Sequence, residues 1–290
     1  MNKVRMILIS CLATAWSTGL IVAEKAPEPQ PIFKTDKAPV IDGKLDDSCW
    51  KKAKAVQAFF PHATKDVKTE PPPLNAWYAW DERYLFIGYQ AHDSSLVALG
   101  TGKEDGPPEN RRQQSVEYDP KRNLDLVEFF ISFGSKRFFW EIHHNASNHL
   151  NDIWIEMPTA AELAKIEKPN YKHVGFKRER IVSDEKSFTV RRAVSLLPNA
   201  DKKSSTINDE SDVDTGYTGE IRLPWAGLGA PGKFRKPDGG FDMQGKRLIV
   251  LAVVLNGNGG EAKYHSSGKN LPPLMYHFSV RKWPRYELTK

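Results

Sequence analysis

The stretch Ala76-Trp77-Tyr78-Ala79-Trp80-Asp81-Glu82-Arg83-Tyr84-Leu85-Phe86-Ile87-Gly88-Tyr89-Gln90-Ala91 sets the reading of the whole chain. Two aromatic, β-prone runs flank the short polar segment Asp81-Glu82-Arg83, which is the pattern of a hairpin. Outward from it, the same pattern repeats. Leu124–Phe133 and Phe138–Asn145 form a second pair across Gly134-Ser135-Lys136-Arg137. Strands are also expected over Asp152–Glu156, Val174–Arg180, Phe188–Leu196, Thr215–Leu223, Leu248–Leu255 and Tyr276–Val280. Helical periodicity is nearly absent; residues 159–168 could form a short helix within a loop. About ten short strands separated by turns predict an all-β, antiparallel β-sandwich. Neither an internal repeat nor a midpoint linker is visible, so residues 34–290 read as one domain with long loops. The longest loop, Leu96–Lys121, is rich in Gly, Pro and charge.

The 290 residues are 40% hydrophobic and 11% aromatic, enough for a core and unlike a disordered chain. Lys and Arg total 42 against 36 Asp and Glu, a net charge of +6 that is spread thinly. No basic stripe suited to nucleic acid emerges. Residues 1–23 start with Lys3 and Arg5, continue through the apolar Met6–Val22 and reach Ala23 before a polar segment, the order of a secretory signal. Export to the periplasm or outside the cell is expected. Residues 24–33 read as a proline-rich linker. Leu8-Ile9-Ser10-Cys11 resembles a bacterial lipobox, the alternative in which Cys11 carries a lipid. Its apolar run before the cysteine is shorter than the usual ~7–15 residues. No later segment is long and apolar enough to span a membrane. Cys49 then has no disulfide partner and reads as a small buried hydrophobe.

Ala38-Pro39-Val40-Ile41-Asp42-Gly43-Lys44-Leu45-Asp46-Asp47-Ser48-Cys49-Trp50 suggests a short strand end at Val40-Ile41 and a turn at Asp42-Gly43. A helical turn follows, capped by Asp46 or Asp47, with Trp50 and Ala53 on one face. Together with Tyr78-x-Trp80-Asp81-x-x-Tyr84-Leu85-Phe86, Asp125-Leu126-Val127-Glu128-Phe129-Phe130-Ile131 and Tyr217-Thr218-Gly219-Glu220-Ile221-x-Leu223-Pro224-Trp225, this opening resembles carbohydrate-binding module family 9. The four stretches occur in the family's order across residues 38–280. The resemblance implies an immunoglobulin-like sandwich, binding of sugar chains, structural calcium in some members and glycoside hydrolases as partners. Characterised members hold a sugar ring between two tryptophans. The corresponding positions here, near Arg122 and within Leu271-Pro272-Pro273-Leu274-Met275, carry none.

Sugar recognition needs an aromatic face for the C–H side of the ring and polar groups for its hydroxyls. Glu128 matches the family's acidic position. Alternation places it with Leu126, Phe130 and Ser132, opposite Val127, Phe129, Ile131 and Phe133. On the neighbouring strand Phe138, Trp140, Ile142 and His144 share one side, and Phe139, Glu141, His143 and Asn145 the other. Candidate sugar-binding residues are Glu128, His144, Asn145, Asn148, Trp154, Tyr264 and His265. Trp50, Trp80 and Trp225 read as core anchors. Asp209, Asp212 and Asp214 could offer oxygens to calcium, although the run lacks the glycine and glutamate of an EF-hand loop. No G-x-S-x-G, H-E-x-x-H or C-x-x-C motif occurs, and no catalytic residue is assigned. The expected function is non-catalytic binding of a poly- or oligosaccharide, of plant type such as xylan or glucan. The alternatives are an interaction module that has lost sugar binding, a DOMON-type haem domain with His144, His265 or Met275 as axial ligand, and a glycosidase with an unusual site.

Overall fold

In the computed structural model the residues described are 28–58, 60–61, 71–98, 125–134, 138–156, 161, 165, 177–180, 190–199, 201, 203–209, 211–257, 263–268, 271 and 276–290. The expected signal at 1–23, most of the 96–121 loop, the 159–168 segment but for residues 161 and 165, Arg122 and Met275 lie outside them.

The alternating runs form two sheets. One runs in the order β1 (Gln30–Phe33), β14 (Arg285–Thr289), β12 (Arg247–Asn256), β6 (Leu126–Ser132), β7 (Phe138–His144), β8 (Leu150–Glu156) and β9 (Lys177–Arg180). β13 (Lys263–Ser266) also pairs with β12, and β3 (Phe60–Pro61) with β13. The other sheet runs β10 (Arg191–Leu196), β11 (Tyr217–Pro224), β5 (Tyr84–Ala91), β4 (Leu74–Trp80), β2 (Val56–Ala58). Every pairing is antiparallel except β1 with β14. The molecule is a β-sandwich.

Period-2 alternation decides which side chains meet between the sheets. Val127, Phe129 and Ile131 of β6 and Val250, Ala252 and Val254 of β12 pack against Tyr78, Trp80, Leu85, Ile87, Tyr89 and Leu223 of the facing sheet. The other face of the larger sheet is also apolar: Phe130, Phe139, Ile249, Leu251 and Val253 pack under Leu271, Val280 and Trp283. Trp283 stacks at 5.4 Å from Phe130 and 5.0 Å from Phe139, in the tilted and edge-on geometries that aromatic quadrupoles favour. A third cluster, Cys49, Trp50, Ala79 and Phe86, seats the short helix α1 (Ser48–Lys52) on the outside of the smaller sheet. Cys49 is buried and free, and burial pushes its thiol up to about 12.

The four motif stretches turn out to be clamps. Asp81 Oδ1 accepts the amides of Arg83 and Tyr84, each at 2.7 Å, and so closes the β4–β5 turn. Trp80 Nε1 reaches the carbonyls of Ile32 and Thr289, each at 3.0 Å, tying β1 and β14 to the hairpin. Trp225 Nε1 donates to the Asp81 carbonyl at 2.7 Å. Glu220 is buried, and its Oε2 accepts the amides of Asp42 and Gly43 at 2.9 and 2.8 Å while Oε1 accepts Trp50 Nε1 at 2.8 Å. Gly43 is required there: its φ is +85°, and a Cβ would fall 2.5 Å from the Val194 carbonyl carbon.

Several expectations are corrected. Tyr276–Val280 is not a strand but part of a 3₁₀ helix over Tyr276–Lys282, and the last strand is β14. Val280 and Trp283 both join the outer-face cluster, and three-residue spacing presents them together on a 3₁₀ turn. Gln30–Phe33, read as the end of a linker, pairs with β14. Val40-Ile41 is not in a strand. Asp47 is the N-cap residue of α1 but makes no cap bond; its carboxylate accepts the Val40 amide at 2.9 Å instead.

Candidate functional site

The register of β6 against β7 places Glu128 opposite His143 and Phe130 opposite Glu141. Glu128, Glu141 and His143 therefore share the outer face of the larger sheet, among the apolar residues that pack under Trp283. All three are buried. His143 Nε2 lies 2.8 Å from Glu141 Oε1 and 3.7 Å from Glu128 Oε1. One ligand atom from each falls within 4.8 Å of the others, and among the described residues no other group of three acid, histidine or cysteine side chains converges this closely. Two carboxylates and an imidazole make a set that could hold a divalent cation. Equally, they make a compact acceptor-rich set of the kind that can meet sugar hydroxyls. The sequence assigned Glu128 but left Glu141 and His143 out of the site. Their alternation was legible; the pairing that brings them beside Glu128 was not.

Tyr264 is the other sequence candidate on this face. It pairs with Leu255 of β12, is half-buried and packs against the outer-face cluster. His265, the next residue, pairs with Val254, whose side chain belongs to the inter-sheet core. In β8 the backbone of Trp154 lies opposite Trp140; the Trp154 side chain lies outside the described set.

His144, Asn145 and Asn148 have a different job. His144 is buried between the sheets, with Nδ1 2.7 Å from Tyr89 Oη and Nε2 2.9 Å from Asn148 Oδ1. The Asn148 carbonyl can only accept, so Nε2 carries the hydrogen and Tyr89 donates to Nδ1. Burial pushes the imidazole down to about 3, so it is neutral. Asn145 is buried and its Oδ1 accepts the amides of Ser147 and His149, each at 3.0 Å. Asn148 occupies the left-handed region at φ +58°. These three shape the β7–β8 turn and the core beneath it. His144 also has no nitrogen left for a haem iron.

Asp209, Asp212 and Asp214 do not form a cation site. Exposed Asp209 accepts the Ser211 amide and hydroxyl at 2.9 and 2.6 Å, which hold its carboxyl below the usual range. Asp212 accepts the Thr206 hydroxyl at 3.1 Å. Asp214 is buried and accepts the amides of Leu96 and Thr206 at 2.7 and 2.8 Å. N–H and hydroxyl donors stand where a cation would need open oxygens: Asp209 is held by Ser211, while Asp212 and Asp214 both accept from Thr206.

An aromatic platform was expected beside Glu128. Among the described residues the one large aromatic side chain that is exposed is Phe33, at 43%, on the edge strand β1. In the sheet order β14 and β12 lie between it and β6.

No protein-family model matches the sequence, and no curated protein matches it. Solved structures do. A crystal structure from Bacteroides uniformis, described as a candidate carbohydrate-binding protein, superposes with a TM-score of 0.55 at 13% identity, covering 90% of this chain and 99% of that one. The two chains share a fold. A carbohydrate-binding module family 9 domain from Caldicellulosiruptor kristjanssonii, in complex with cellotriose, gives a TM-score of 0.49 at 12% identity over 90% of this chain and 94% of that one. The glucose complex of a family 9 module from the same organism gives 0.48 at 13% identity over 89% and 95%.

Proposed function

We propose that this chain binds a poly- or oligosaccharide non-covalently, with Glu128, His143 and Glu141 as the polar floor of the site and Tyr264 beside it. The observation that carries the reading is the convergence of those three groups, on two central strands, within an otherwise apolar and aromatic face. Rigid strands fix their spacing, and a few converging polar groups set in an apolar lining are the usual make-up of a sugar site. The four motif stretches support the same reading, since the resemblance assigns the sugar-facing acid to Glu128. The shared fold with the Bacteroides protein, itself described as carbohydrate-binding, is consistent with it. The ligand is a plant-type glycan such as xylan or glucan. The site is non-catalytic, and the protein acts outside the cytoplasm after export, alongside glycoside hydrolases. Among the described residues no helix is long and apolar enough to cross a membrane.

Calorimetric titration against xylan, β-glucan and their oligosaccharides tests this. Glu128→Gln should weaken binding about ten-fold or more, the loss expected when one charged hydrogen-bonding partner is removed. A folded protein that gives no heat with any glycan refutes the reading and leaves an interaction module on the same scaffold.

A further inference from the structure

The burial pattern of β1 separates two neighbouring apolar residues. Ile32 goes into the core, and Phe33 faces solvent. Exposing a phenyl ring on a strand that pairs with β14 along its length brings little packing energy. Beside that ring lies a hollow of about 540 Å³ lined by Phe33, Lys34, Asp36, Lys52, Gln244 and Lys290. Its volume falls in the ~300–1,000 Å³ range of small-ligand sites. The lining combines a flat apolar ring, an amide and three ammonium groups against one carboxylate. Lys34 is paired with Glu82 and stands 5.7 Å over the Trp80 ring. Lys52, from the last turn of α1, and Lys290 make no ion pair among the described residues, and both residues line the hollow.

We propose that this hollow is a second glycan-contact site, separate from Glu128, and that it takes an anionic sugar unit carrying a carboxylate or a sulfate. The proposal rests on the carbohydrate reading of the chain and names a substrate class within it. Phe33 supports the C–H face of a pyranose, as aromatic rings do through their apolar faces. Gln244 meets a hydroxyl, and Lys52 with its neighbours attracts the acidic substituent. A neutral sugar gains nothing from the ammonium groups. The two sites therefore differ in charge preference: an acidic floor at Glu128 and Glu141, and a basic hollow at Phe33.

The test uses the full chain and three probes: a neutral cello-oligosaccharide, an oligogalacturonate and a sulfated oligosaccharide, with inorganic phosphate as the anion control. Phe33→Ala and Lys52→Gln change exposed side chains, so folding should survive; melting curves check this. Phe33→Ala should weaken the acidic oligosaccharides about ten-fold, the effect of losing an aromatic anchor, and leave the neutral one unchanged. Lys52→Gln should weaken the same ligands and lessen the fall in their affinity with salt. Which acidic probe binds more tightly distinguishes carboxylate from sulfate. The proposal is overturned if acidic oligosaccharides bind no better than neutral ones, if neither substitution alters their affinity, or if phosphate alone binds equally well. Failure of every glycan, neutral and acidic, refutes instead the carbohydrate reading on which it rests.

Discussion

Glu220 offers the sharpest test of how the sequence makes this sandwich. Its carboxylate joins β11 to the opening turn and to α1 through three N–H donors: the amides of Asp42 and Gly43 and the Trp50 indole. Burial pushes the carboxyl up, while those same donors hold it down. Three donors and no acceptor suit an ionised group. Replacement by alanine strands all three. Each buried donor left unsatisfied costs about 1–3 kcal/mol, about 3–9 kcal/mol for three, so Glu220→Ala should lose about 3–6 kcal/mol once the offset from removing a buried charge is counted. Glu220→Gln keeps one carbonyl oxygen. With that oxygen on the paired amides, its NH₂ faces the Trp50 N–H, and one bond is replaced by a donor–donor contact worth about 1–3 kcal/mol. Urea denaturation followed by tryptophan fluorescence measures both losses. A double-mutant cycle with Trp50→Phe isolates the pair: removing the indole N–H should relieve the glutamine, giving a coupling of about 1 kcal/mol. A glutamine variant as stable as the parent, or strict additivity in the cycle, refutes the clamp.

Other outcomes follow from the same structure. Asp125 shares a hydrogen bond with Asp93 and accepts the amides of Val97 and Gly257 at 2.6 and 2.7 Å; burial, then Asp93, push its carboxyl up from 3.8 to about 7. The folded protein thus keeps a proton that the unfolded chain releases, so stability should fall as pH rises from about 4 to 7, by at most about 1.4 kcal/mol per pH unit. Asp93→Asn supplies an N–H in place of that proton and should flatten the slope; an unchanged slope in melting midpoints counts against the shared proton. Gly219→Ala should destabilise by about 1–3 kcal/mol or force a shift of Tyr89, because its Cβ would lie 2.3 Å from that ring, and a thermal melt reads this directly. Tyr89→Phe should cost about 1 kcal/mol by freeing His144 Nδ1, with glycan affinity unchanged; a loss of affinity would place His144 in the binding site after all.

The strands were legible because period-2 alternation is local and most of them are apolar on one or both faces. Where the pattern failed, tertiary contacts had overridden it. The Tyr276–Val280 run alternates like a strand, yet Val280 and Trp283 are drawn onto the outer face as a 3₁₀ turn. Glu128 was assigned to the face opposite the regular apolar one, correctly, but that face proved to carry its own apolar cluster. Its neighbours Glu141 and His143 depend on strand register, which no single strand reveals. The asparagines around the β7–β8 turn looked like hydroxyl ligands because amides serve both purposes; only the hydrogen bonds show that Asn145 and Asn148 are spent on backbone and imidazole.

The residues that carry the family resemblance are mostly those that hold the scaffold: Trp50 with Glu220, Trp80 with Ile32 and Thr289, Trp225 with Asp81, and Asp125 with Gly257. Such clamps fix backbone positions through bonds within the chain. Stability and recognition should therefore separate on mutation. Glu220→Gln should lower the denaturation midpoint while leaving glycan affinity per folded molecule unchanged. Phe33→Ala should do the reverse for acidic oligosaccharides, since its ring is 43% exposed and little packing is lost. Were Glu220→Gln to weaken binding in a fully folded sample, the clamp would have to transmit strain through β5 and β4 to the far sheet, and scaffold and site would no longer be independent.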